Sequence, residues 1–83
     1  MVLVEVGLFY VTKNDIVIYP TESTSDGFVH VVSIPHSSPI CEYIRWCRIN
    51  ATNCTLIDND LLYRRYKNEI TKVDIFVKDN KLR

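Results

Sequence analysis

Eighty-three residues, 47% of them apolar, suffice for one domain with a modest core and are too apolar for a disordered chain. Ten basic and ten acidic side chains cancel, which argues against a general nucleic-acid binder with its usual basic excess. No apolar run approaches the roughly 20 residues of a membrane-spanning helix, so no membrane role is expected.

The charge is uneven along the chain. Residues 1–40 set Lys13 against Glu5, Asp15, Glu22 and Asp26, whereas residues 41–83 hold nine basic and six acidic side chains. Ten valines, nine isoleucines and six threonines stand beside one alanine, Ala51. β-Branched side chains lose rotamer freedom in helices and pack well on pleated sheets, so a strand-rich fold is expected. Abundant Ile, Asn, Lys, Tyr and Phe also match AT-rich codons, as in many phages and other viruses. The opening Met-Val-Leu-Val-Glu-Val-Gly lacks the basic start of a signal peptide. A cytoplasmic protein with reduced cysteines is therefore expected, in the host cytoplasm if viral.

In chain order, residues 2–11 read as a two-sided apolar strand, with Gly7 at a bulge. Thr12 to Asp15 reads as a hairpin turn, because Asn and Asp tolerate positive φ. Residues 15–19 form a second strand stopped by Pro20, and residues 21–27 a polar loop. Residues 28–34 form a third strand with Phe28, His30, Val32 and Ile34 on one face. Ser38-Pro39 has the form of an N-cap with proline in the first turn. Ile40, Tyr43, Ile44 and Cys47 then predict a short helix over 39–49, with a strand as the competing reading. Residues 53–57 read as a strand and Asp58-Asn-Asp60 as a turn or helix start. Residues 61–68 fit a helix through Leu62, Tyr66 and Ile70, or a strand through Leu61, Tyr63 and Arg65. Residues 72–79 alternate as a strand, with Val73, Ile75 and Val77 inward and Phe76 on the wet face. The sum is a single α+β domain spanning 1–83. It comprises about five antiparallel strands, as a sheet or partly closed barrel, with one short helix near 39–49.

Catalytic constellations are sparse. His30 sits among apolar neighbours and reads as a core histidine. His36 and Cys41 would make a base–nucleophile pair, but nothing supplies an orienting group or an oxyanion site. Asp58 and Asp60 read as turn and cap residues. His36, Cys41, Cys47 and Cys54 are enough ligands for zinc, but their gaps depart from the tight C-x2-C pairs of structural sites. No enzyme activity, cofactor or metal is expected.

Two segments interleave aromatic and basic residues: Tyr43, Arg45, Trp46 and Arg48, then Tyr63, Arg64, Arg65, Tyr66 and Lys67. Trp, Tyr and Arg dominate binding energy at protein interfaces. These residues, with Phe76 extending them or marking a homodimer edge, predict a non-enzymatic protein-binding module. One form of it would be a phage or viral inhibitor of a host factor. The alternative is a small β-fold nucleic-acid binder, with the cations on phosphates and Trp46 and Tyr63 stacking on bases. Trp46 discriminates: outward on a helix, inward on a strand.

Overall fold

Residues 4–22, 27–36 and 44–81 are described by the structure, a computed structural model. Five strands form one antiparallel sheet: β1 (Tyr10–Thr12), β2 (Ile16–Pro20), β3 (Phe28–Pro35), β4 (Arg45–Asn50) and β5 (Cys54–Leu56). A short 3-10 turn, Ala51–Asn53, joins β4 to β5. Two helices follow, α1 (Asp60–Arg65) and α2 (Lys67–Asp79). The strand order is β4-β3-β2-β1-β5: β1 to β4 form a meander, and β5 returns to the outer side of β1. The sheet is open, with β4 and β5 at its edges, so the architecture is α+β and strand-rich as expected.

The first hairpin turns where Thr12-Lys-Asn-Asp15 predicts. Asp15 adopts φ +64°, and the Thr12 hydroxyl accepts from the N–H groups of Asn14 and Ile16 at 3.2 and 3.3 Å. Register follows from there, with Val11 opposite Val17, Tyr19 opposite Val32, and Val32 opposite Trp46. Directly opposed residues share a face, so each strand sorts its side chains onto two layers. Val11, Val17, Tyr19, Val32 and Ile34 meet Tyr66, Ile70, Val73 and Val77 under the helices. Tyr10, Ile18, Val29 and Val31 make the other layer with Val4 and Ala51. Both faces of β2 and of the Val31–Ile34 half of β3 are thus covered, in keeping with the apolar runs Ile16–Tyr19 and Val31–Val32.

Three expectations are overturned. Residues 45–49 are not helical but belong to β4, and residues 39–43 lie outside the described residues. Ile44 packs with the helix layer and Cys47 with the opposite layer, so they do not share a helical stripe. Residues 72–79 are not a strand but the body of α2. There Val73 is fully buried while Ile75, two residues on, is 55% exposed; a strand would place both on one face. The eight-residue window misled because it omitted Tyr66 and Ile70. With them the buried positions 66, 70, 73 and 77 have helical spacing. Of the strand over 2–11, residues 2 and 3 lie outside the described residues, and the described part holds a strand only at Tyr10–Thr12. The chain turns at Val6 and Gly7, where Gly7 takes φ +89°, a conformation costly for residues with a Cβ. Val4 nonetheless reaches the second layer.

Of the two readings of residues 61–68, the helical one holds. The Asn59 side chain caps α1 by accepting from the Leu62 N–H at 2.9 Å. Asp60 in the first turn and Arg64 and Arg65 in the last oppose the helix dipole.

Candidate interaction surface on the edge strand

α2 packs over β2 and β3. It shields the Val32–Ile34 half of β3 and leaves the Phe28–His30 half open. β4 lies beyond, at the sheet edge. Register places Trp46 beside Val32, Arg48 beside His30 and Asn50 beside Phe28, all on the helix face of the sheet. The result is an open patch built from two adjacent strands. Phe28 is 57% exposed and Trp46 50%, and His30 and Arg48 are exposed with them. The Arg48 guanidinium sits over the Phe28 ring, 5.4 Å from its centroid. That stacking orients a cation between two exposed rings. A shallow concavity follows the seam and is lined by His30, Trp46, Cys47 and Arg48.

This arrangement corrects two expectations at once. Trp46 is on a strand yet is not core, because β4 is an edge strand beyond the reach of α2. His30 is not a core histidine, because it lies on the uncovered half of β3. Phe28, read only as one face of a strand, joins the patch through the register of β3 against β4. Pairing of strands 12 or more residues apart leaves no local trace in the sequence.

The remaining predicted contact residues divide. Tyr43 lies outside the described residues, as does Cys41. Arg45 is exposed, but its position opposite Ser33 puts it on the other face of the sheet from Trp46 and Arg48. Tyr63 and Arg64 are exposed on α1, which follows β5 at the opposite edge of the sheet from β4. The two aromatic–basic segments therefore do not merge into one stripe. Tyr63 instead lines a separate groove of about 430 Å³ with Leu8, Phe9, Leu56, Thr71, Asp74 and Ile75. Phe76 is not on an outer strand face; it is half-buried on α2 against the helix-side core.

Arg65 and Tyr66 belong to a network that nothing local in the sequence announces. Tyr66 is 5% exposed, and its hydroxyl donates to Asp15 Oδ1. Arg65 donates from Nε to the Tyr66 hydroxyl at 3.1 Å and from Nη2 to Asp15 Oδ2 at 3.3 Å. The His36 ring meets Tyr66 edge-on at 4.8 Å, and its Nδ1 is bonded to Glu69 Oε1. Glu69 itself is buried. The Tyr66 hydrogen bond, followed by the Arg65 charge, holds the Asp15 carboxyl below the usual carboxylate range. Burial, followed by the bond to Asp15, pushes the Tyr66 phenol up. These groups use their polar atoms on one another, and no buried side-chain polar atom among the described residues lacks a partner. The network locks the β1–β2 turn and the end of β3 to the joint between the helices.

Among the described residues no three His, Cys, Asp or Glu side chains converge as a metal-holding group. The Cys47 thiol donates to the Ser33 hydroxyl at 3.4 Å, and burial pushes the Cys54 thiol up, away from a reactive thiolate. No helix among the described residues is long and apolar enough to cross a membrane. In comparisons with known proteins, the chain matches no family model, no curated protein and no solved structure.

Proposed function

We propose that this chain is a small non-enzymatic protein-binding module whose partner docks on the β4 edge around Phe28, His30, Trp46 and Arg48. One observation carries the reading. Two large aromatic rings, each at least half exposed, flank an arginine already stacked on one of them. Exposed aromatic side chains are costly in water, and Trp, Tyr and Arg are the residues whose burial dominates protein interfaces. The abundance of Ile, Asn, Lys, Tyr and Phe, which matches AT-rich codons, supports a phage or viral source; in this reading the partner is a host factor that the protein inhibits.

The second reading is single-stranded nucleic acid stacked on Trp46 and Phe28. Tracking a phosphate backbone needs several cations in line, whereas Arg64 and Lys67 belong to the helical segment after β5, away from the β4 edge. That separation favours the protein partner. Affinity capture from bacterial lysate, with and without nuclease, tests the choice. A protein retained after nuclease treatment and lost with Trp46→Ala or Arg48→Glu is the expected result. Recovery of nucleic acid alone, or capture indifferent to both substitutions, overturns it.

A further inference from the structure

We infer that β4 receives a sixth strand from its partner: an extended acidic segment in which carboxylates alternate with apolar side chains. The inference rests on the protein-binding reading and gives it a mode and a ligand chemistry.

The backbone comes first. β4 is six residues long, and among the described residues it pairs only with β3. In an antiparallel ladder alternate residues direct N–H and C=O to the far side, here Trp46, Arg48 and Asn50; the Asn50 carbonyl already accepts from the Cys54 thiol, which leaves about five backbone groups for an incoming strand. Proteins usually blunt such an edge with proline, a bulge, brevity or charged side chains, and of these β4 carries only the charges of Arg45 and Arg48. The other edge, β5, is only three residues long. Residues 45–50 contain neither proline nor glycine, and β4 runs in unbroken register with β3 from Phe28 to Ser33. The edge is therefore a competent template for strand addition.

The side chains then choose the occupant. On the helix face an incoming strand lies beside Trp46 and Arg48, with His30 and Phe28 one strand behind. Directly opposite and diagonal cross-strand neighbours are about 4.5–8 Å apart, within reach of these long side chains. A carboxylate beside Arg48 and an apolar side chain beside Trp46, two residues apart, would complete both. A second copy of this chain fits worse. Of the registers that pair two β4 strands with their helices on the same side, one sets Trp46 against Trp46 and brings no carboxylate of β4 to Arg48, and another sets Trp46 against Arg48 of the other copy. The latter also makes the two Arg48 side chains diagonal neighbours, with no Asp or Glu in residues 45–50 to offset them. Charge complementarity thus selects an acidic partner over self-pairing.

A library of displayed random decapeptides, selected on the full chain, tests this directly. Binding of synthesised winners is read from the fluorescence of Trp46, the only tryptophan. The expected winners alternate Asp or Glu with Val, Ile, Tyr or Phe. N-methylation of their alternate backbone amides weakens binding at least tenfold. Arg48→Glu weakens binding at least tenfold with an unchanged melting temperature, and reselection on that variant turns the preference towards Lys and Arg. Winners without acidic enrichment, or indifferent to N-methylation, overturn strand addition by an acidic segment. If no peptide is selected while a nuclease-resistant protein is still captured through Trp46, strand addition fails and the docking surface stands. If a single-stranded oligonucleotide alone changes Trp46 fluorescence, both fail.

Discussion

The Tyr66 hydroxyl donates to the Asp15 carboxylate across 51 positions of sequence, joining the helix junction to the first hairpin turn. Tyr66→Phe keeps the ring in the core and removes only this bond and the one from Arg65. The expected cost is about 1 kcal/mol, since a hydrogen bond contributes net about 0.5–1.5 kcal/mol. In a domain of this size that lowers the melting temperature by about 4–8 °C. A thermal melt of the two proteins at neutral pH checks it.

The same bond gives stability a defined pH dependence. Asp15 is held below its ordinary value of 3.8 when folded. Its contribution is therefore present above the unfolded carboxylate range and is lost as pH falls through the lowered value. Tyr66 is raised above its ordinary 10.0. Its contribution is complete below that value and is lost as pH rises through the raised one. Denaturant titrations of wild type and Tyr66→Phe should differ most between these limits and converge beyond both. A difference that persists unchanged to strong acid would contradict the link to Asp15.

Glu69 is 6% exposed and bonded to His36. His36→Ala leaves a buried carboxylate without its partner, with an expected cost of about 1–3 kcal/mol. Glu69→Gln keeps a polar group near the ring and should cost less. Combining His36→Ala with Glu69→Leu should cost less than the sum of the two single changes, with a coupling above about 0.5 kcal/mol in a double-mutant cycle.

The helix over Lys67–Asp79 is tested by charge. Ile75→Lys places a cation on an exposed face and should change stability by no more than about 0.5 kcal/mol. Val73→Lys buries an unpaired ammonium and should unfold the domain. Equal damage from both would restore the strand reading, in which positions 73 and 75 share a face. Circular dichroism before and after each substitution distinguishes these outcomes.

Much of the fold was legible where local pattern and tertiary context agree. The Thr12–Asp15 turn, β2 and β3 follow from turn chemistry and apolar runs bounded by polar residues. The segments that misled were short and permitted two periods. Positions 73, 75 and 77 alternate, while positions 66, 70, 73 and 77 step helically; only burial of Tyr66 and Ile70 against the sheet decides between them. In β4, pairing with β3 outweighed the local pattern, and Ile44 and Cys47 went to opposite layers. The surface was half legible: the interleaving of aromatic and basic side chains points to Trp46 and Arg48. It does not point to Phe28 and His30, because strand register alone brings them beside that pair. The Asp15–Tyr66 and His36–Glu69 bonds link residues 51 and 33 positions apart, beyond any local signal.

Amide hydrogen exchange of residues 45–50, followed by NMR with and without a selected acidic peptide, tests the central claim most directly. In the free chain, the amides of alternate β4 residues should exchange fast because they face outward, while those bonded to β3 are protected. The peptide should slow the fast set at least tenfold. Uniform protection in the free chain, or fast exchange unchanged by the peptide, would contradict an open edge that binds its partner as an added strand.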